Sequence, residues 1–272
     1  MKLSNLGVMQ GRLSPSKRNK IQFFPTKDWP KEFQICSKLG IKYIEWTLDH
    51  RNLYKNPIFT NSGIKKINFL KKKNKIKIQT LTGDCFMQKP FWKTKKNDTL
   101  IIKLKDIIEA CSNLNIKYII FPLVDNSSLK SKNDENKVIN QFLRISSFLK
   151  KKKVNILFES DFKPLKLKKF IERLNSKCFG INYDSGNSAS LGFNIDDEFR
   201  IYGKHIKNIH IKDRFFQGTT VRLGYGNVNF RKLLTNIKRI KYKNLFILQT
   251  ARSKNNNHVQ EIKINKEFLK KL

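Results

Sequence analysis

The sequence predicts an α/β protein folded as a single (β/α)₈ barrel, and three observations carry that reading. Short β-branched or aromatic runs alternate with longer amphipathic stretches about eight times along the chain. The length, 272 residues, suits one barrel domain. Ligand-type residues stand directly after four late apolar runs: Glu159, Asp184, His210 and Gln249. No Pro/Gly/Ser linker or shift of composition divides the chain, so residues 1–272 read as one domain.

The elements follow in order. A strand near Leu6–Gln10 precedes a helix near Trp29–Leu39, with Gly40 placed as a C′ residue. A second strand at Tyr43–Trp46 precedes a helix over Ser62–Lys73, capped by Asn61 or Ser62. Ile76–Leu81 is the third strand and Thr99–Leu114 its helix. Tyr118–Pro122 is an apolar run suited to a parallel strand buried on both faces, and a helix near Glu135–Lys151 comes next. Val154–Glu159 leads to a helix at Leu165–Leu174, and Phe179–Asp184 to a short helix at Ile195–Tyr202. Ile206–Ile211 precedes a helix at Phe230–Ile237 with Asn229 as its cap. Leu245–Gln249 closes the barrel, and a last helix is expected near Asn265–Leu272.

The formal charge is +36, from 57 Lys+Arg against 21 Asp+Glu. Such a charge ordinarily raises nucleic acid as a partner. Here the excess is mainly Lys, spread through nearly every helical segment beside abundant Asn, Ile and Phe, a mixture that an AT-rich coding sequence tends to produce. It reads as a solvated basic surface, which would still draw in an acidic small molecule. Lys71–Lys73 and Lys150–Lys153 fall at helix C-termini, where cations suit the dipole. The cysteines Cys36, Cys85, Cys111 and Cys178 are widely spaced, which reads as free thiols in a reducing cytoplasm. Met1-Lys2-Leu3-Ser4 runs straight into a strand, so neither a leader nor a membrane span is expected.

In a (β/α)₈ barrel the residues that follow successive strands converge on one face, where barrel chemistry is done. Two carboxylates, an imidazole and an amide oxygen suit one divalent ion such as Mn²⁺, Co²⁺, Mg²⁺ or Zn²⁺. Glu159 ends an apolar strand, where an unpaired buried carboxylate would be costly. Asp184 also suits a cap for the turn before Gly186 and Asn187. Gln10, Arg12, Lys212, Arg214, Arg222 and Arg252 lie near strand ends or in the loops after them, and an Arg can hold a carboxylate or phosphate bidentately. Asp84, in the segment Gly83–Met87 after the third strand, is expected to line the pocket. Glu45 and Trp46 read as a supporting pair or a substrate wall.

Four stretches resemble a known family: Gly7-Val8-Met9-Gln10-Gly11-Arg12-Leu13-Ser14-Pro15, Ile44-Glu45-Trp46, Tyr183-Asp184-Ser185-Gly186-Asn187 and His210-Ile211-Lys212-Asp213-Arg214. They are similar to the xylose-isomerase-like TIM barrels, the sugar phosphate isomerases and epimerases, and the similarity spans essentially the whole chain. The resemblance implies one divalent ion held by Glu, Asp, His and Glu from successive strands. Glu159, Asp184 and His210 match, while Gln249 stands where Glu is expected. It further implies proton transfer through a metal-stabilised enediolate of a sugar or sugar phosphate. An amide cannot shuttle protons at neutral pH, so the chemistry becomes a one-base isomerisation by Glu159, or uses a partner from Glu45, Asp84, Asp213 or Cys85. Of these, Glu159 and Asp213 are taken as the catalytic pair. A dehydratase or lyase acting on the same intermediate, and a barrel that has lost catalysis and binds instead, are the competing expectations. A homo-oligomer is compatible with all of them.

Overall fold

The structure, a computed structural model, describes residues 3–16, 21–93, 97–253 and 255–272. Eight parallel strands close into a barrel with helices between them. The first seven are β1 (Leu6–Met9), β2 (Tyr43–Thr47), β3 (Thr80–Thr82), β4 (Tyr118–Leu123), β5 (Asn155–Ser160), β6 (Phe179–Asp184) and β7 (Ile206–Ile211). A two-stranded hairpin, β8 (Asp213–Arg214) and β9 (Thr220–Val221), stands on the mouth, and β10 (Phe246–Leu248) completes the wall. Around the barrel the order is β1-β10-β7-β6-β5-β4-β3-β2. The long helices are α1 (Trp29–Lys38), α2 (Asn61–Asn74), α4 (Asn97–Asn113), α5 (Lys132–Lys152), α6 (Pro164–Leu174), α8 (Ile195–Tyr202), α9 (Phe230–Arg239) and α10 (His258–Lys270). Two short helices, α3 (Asp84–Gln88) and α7 (Ser185–Ser190), begin directly at strand ends.

Strand alternation sorts the side chains into two environments. Residues facing the helices build the main core. Phe121 of β4 and Phe158 of β5 meet Phe142 of α5 edge-on, with centroids 4.9 and 5.0 Å apart. Phe158 also meets Phe170 of α6 at 5.2 Å. Inside the barrel, Met9, Leu245 and Ile247 form a small separate apolar cluster with Tyr43 against it. Buried polar groups also line the interior, among them Glu45, Thr82, Asn182, Asn208 and His210. A polar layer within an otherwise apolar fold must satisfy itself or bind something.

Several boundaries differ from the expectation, each for a local reason. The third strand begins at Thr80 rather than Ile76. Lys75 takes a left-handed backbone, φ +55°, and the Ile76 amide closes the end of α2 on the Lys71 carbonyl at 3.0 Å. Thr60, not Asn61 or Ser62, caps α2, its hydroxyl accepting from the Gly63 amide at 3.1 Å. A reciprocal Ser131/Asp134 capping box starts α5 at Lys132. Asn257 starts α10 at His258, earlier than the expected Asn265. Asn229 does cap α9, accepting from Lys232 at 3.0 Å. All four cysteines are free and buried.

Candidate active site

The register of the wall brings the ligand-type residues together. Asp184 at the end of β6 lies beside His210 of β7, and His210 in turn beside Ile247 of β10. Ligand atoms of Glu159, Asp184 and His210 all fall within 4.8 Å of one another, and all three residues are buried. His210 is gripped at both ring nitrogens. Nε2 lies 2.8 Å from Glu45 Oε1, while Nδ1 lies 3.2 Å from Glu159 Oε2 and 3.0 Å from Asn182 Nδ2. Glu45 is itself anchored, accepting from the Thr82 hydroxyl at 2.6 Å. A carboxylate on one ring nitrogen is a common way to orient a histidine that ligates a metal, and Glu45 stands in that position.

Two asparagines orient Glu159. Asn182 Nδ2 donates to Oε2 at 2.7 Å, and Asn187 Nδ2 donates to Oε1 at 2.8 Å. Asp184 caps α7 with one oxygen, accepting from the Asn187 amide at 2.8 Å, and offers the other to Lys212 Nζ at 3.3 Å. Gln249 turns its Oε1 to the same ammonium at 3.4 Å. Burial opposes ionisation of Glu159, but His210 and Lys212 outweigh it and hold the carboxyl below its ordinary range. Burial pushes Asp184 up, the neighbouring Glu159 charge adding to it against the pull of Lys212. Burial alone would depress His210, yet the Glu45 and Glu159 carboxylates carry it up to about 10. The carboxylates of Glu159 and Asp184 meet their counter-charges in His210 and Lys212. The donor set could hold a divalent cation: two carboxylates and one imidazole converge, and the Gln249 amide oxygen shares Lys212 with Asp184.

Residues 33–272 match the family model described as xylose isomerase-like TIM barrel. The chain belongs to that family. No curated protein matches the sequence. Solved structures that share the fold include the IolI protein with a bound zinc atom, at 17% identity and TM-score 0.75, with 97% of each chain covered. A D-allulose 3-epimerase from Methylomonas sp. in complex with D-allulose aligns at 13% identity and TM-score 0.76, covering 100% of this chain and 98% of that one. A 3-keto-D-glucoside 4-epimerase from E. coli, in its apo form, aligns at 13% and 0.72, covering 98% and 99%. At these identities the likeness is one of fold.

Within this xylose isomerase-like barrel, Glu45, Glu159, Asp184, His210, Lys212 and Gln249 gather at one place. Arg214 lies at its edge, donating to Asn187 Oδ1 at 2.9 Å and to the Gly218 carbonyl through Nε and Nη2. Asp84 is buried at the start of α3, where Gln22 donates to both its oxygens at 2.5 Å. The remaining nominated residues are occupied elsewhere. Trp46 is packed on Phe24 and Trp29, each at 5.5 Å, and donates to Asn56. Gln10 accepts from the Thr47 amide at 3.2 Å through Oε1, while its buried Nε2 has no partner among the described residues. Arg12 donates to the carbonyls of Thr250 and Ile21, and Arg252 to those of Gly11, Ser14 and Ile21.

Arg222 forms a bidentate pair with Glu261, at 2.8 and 2.7 Å. Asp213 accepts three amides, from Gly224 and Gly226 at 2.9 Å and Val228 at 3.1 Å. The glycines of that loop therefore wrap a carboxylate of this chain: a Cβ on Gly226 would stand 2.3 Å from Asp213 Oδ1. Four residues of the site were not nominated from sequence: Gln22, Asn182, Asn187 and Asn208. Asn182 and Asn208 each precede a ligand-type residue by two, a polar residue on the inward face of an apolar strand. That spacing is a signal that alternation could have supplied. Gln22 sits in a loop with no such signature.

Proposed function

We propose that this protein is a divalent-metal-dependent isomerase or epimerase acting on a sugar or sugar phosphate. The convergence of Glu159, Asp184 and His210, with His210 clamped by Glu45, carries the reading. Membership of the xylose isomerase-like family and a shared fold with sugar epimerases support the substrate class. Glu159, Asp184 and His210 would hold the ion, with Gln249 Oε1 as a fourth oxygen. A cation there would act as a Lewis acid on a carbonyl and its neighbouring hydroxyl.

Glu159 is the base. Its two oxygens are fixed by Asn182 and Asn187, so it is aimed rather than free to rotate. A positioned carboxylate of this kind contributes about 10²–10⁴-fold to removal of a proton beside a carbonyl. Lys212 and Arg214 both reach Asn187 Oδ1 and present positive charge to an anionic substrate or to developing oxyanion charge. No helix among the described residues is long and apolar enough to cross a membrane. The free, buried cysteines suit a cytoplasmic setting.

Elemental analysis of the purified protein, before and after chelation, tests this reading against a His210→Ala variant. The expected result is about one Mn, Co, Mg or Zn per chain in the wild type and its loss in the variant. Metal-loaded protein should then catalyse solvent deuterium exchange into a ketose, and Glu159→Gln should abolish it. No metal in the wild type, even after reconstitution with each of the four ions, would overturn the reading in favour of a binding protein.

A further inference from the structure

A hydrogen-bonded arc runs around the barrel mouth. It begins at Glu159, which accepts from Asn187 Nδ2 at 2.8 Å. Asn187 Oδ1 accepts from Lys212 Nζ at 3.2 Å, and the same ammonium reaches Gln249 Oε1 at 3.4 Å. Gln249 Nε2 donates to Gln22 Oε1 at 3.0 Å, and Gln22 Nε2 donates to both oxygens of Asp84 at 2.5 Å. The arc thus has a carboxyl group at each end. The residue after β10, Gln249, supplies only an amide, which cannot exchange protons at neutral pH.

Three other acids of the barrel are committed. Glu45 is held between Thr82 and His210. Asp213 is saturated by the amides of Gly224, Gly226 and Val228. Asp49 accepts from the Phe24 amide and from Gln88. Cys85 is buried, and burial drives its thiol well up, so it stays protonated. Asp84 differs from all of these. Its one hydrogen-bond partner among the described residues is Gln22, a side-chain amide on a loop, and the carboxyl is buried within the field of Glu159 and Arg12. Burial, with Asp49 and Glu159 adding, pushes it up to about 7 against the pull of Gln22 and Arg12. A carboxyl poised near neutrality gives and takes protons with comparable ease.

We propose that Asp84, at the far end of the arc from Glu159, is the second acid/base group of this site; the assignment rests on the isomerase/epimerase reading. In the step, Glu159 takes the proton from the carbon beside the substrate carbonyl, and the C–H electron pair passes into the enediolate. Protonated Asp84 returns a proton to carbon, the carbonyl re-forms, and Asp84 is left as carboxylate. Exchange with water restores ionised Glu159 and protonated Asp84. One proton leaves and one arrives, so no further reactant is required.

The test uses metal-loaded full-length protein in deuterated water with D-fructose, D-allulose, D-tagatose and D-fructose 6-phosphate, followed by NMR. Asp84→Asn, of the same size, is compared with Glu159→Gln. Asp84→Asn should lose product formation about a hundredfold or more while deuterium still enters the recovered substrate, because Glu159 continues to remove and return the proton. KM should change little, and Asp84→Glu should regain part of the turnover. That uncoupling of exchange from product is something a merely structural residue would not produce. Product formation by Asp84→Asn within a few-fold of wild type, loss of exchange and product together, or a rise in KM alone would each overturn the assignment. Should Asp84→Asn not fold, Asp84→Ser, which also lacks a carboxyl, carries the test with the same outcomes. A wild type inert on all four sugars would instead sink the isomerase/epimerase reading itself, and the role of Asp84 with it.

Discussion

On the β5–β7 side of the mouth, charged side chains face one another in two pairs: His210 with Glu159 at 3.2 Å and Lys212 with Asp184 at 3.3 Å. On the β1–β10 side, residues of the same kinds face the backbone. Arg12 and Arg252 donate to main-chain carbonyls, and Glu32 accepts the Gly11 amide at 2.9 Å, the Leu13 amide at 3.2 Å and the Ser14 hydroxyl at 2.8 Å. Burial pushes Glu32 up to about 7, those donors pulling the other way. A backbone partner exhausts a side chain's hydrogen-bonding capacity and fixes a loop. A cluster of side chains compensated chiefly by each other, with one backbone amide on Asp184, keeps capacity for a ligand. Charge at a strand end is therefore not itself a mark of function; what the charge is bonded to decides.

If the β1–β10 side is architectural, removing its buried cation should damage folding and spare the metal. Arg12→Met would strip partners from the Thr250 and Ile21 carbonyls and remove a cation lying within reach of Asp84, Glu32 and Asp184. The expected cost is about 3 kcal/mol of unfolding free energy, measured by urea denaturation, with metal content per folded chain unchanged. A variant of wild-type stability that has lost its metal would move Arg12 from one side of the comparison to the other.

The β5–β7 side is sharpened by a change that leaves every ligand in place. Glu45→Gln keeps the size of the side chain but weakens the grip on His210 Nε2. Metal affinity, measured by calorimetric titration, should fall about 10–100-fold, equivalent to about 1.4–2.7 kcal/mol, with the melting temperature nearly preserved. Unchanged affinity would mean that His210 is oriented by Asn182 and Glu159 alone.

The barrel was legible because parallel strands buried on both faces leave a strong period, as Tyr118–Phe121 does, and because its strand ends carry polar residues where apolar runs stop. The gathering of Glu159, Asp184 and His210 was legible for the same reason. The fate of the arginines was not. Whether Arg12 meets a ligand or the carbonyl of Thr250 depends on a contact across 238 residues, which no local pattern encodes. Trp46 illustrates the converse: alternation along β2 places it on the helix side once Glu45 is assigned inward, so the two neighbours could not both have faced the pocket. α3 and α7 leave no mark in the sequence, because helices of five and six residues are too short to show a period.

The smallest effect is expected at Arg222, and it separates two uses of one residue. Its side chain is 41% exposed and pairs bidentately with Glu261 of α10, so its removal should cost under about 1 kcal/mol. The loop it precedes is already shaped by Asp213, whose carboxylate takes the amides that a phosphate would otherwise meet. Arg222→Ala should therefore leave KM unchanged for both a ketose and its phosphate, measured side by side on metal-loaded protein. A rise in KM confined to the phosphorylated sugar would mean that substrate exchanges Arg222 away from Glu261, and would transfer this loop from the architecture to the site.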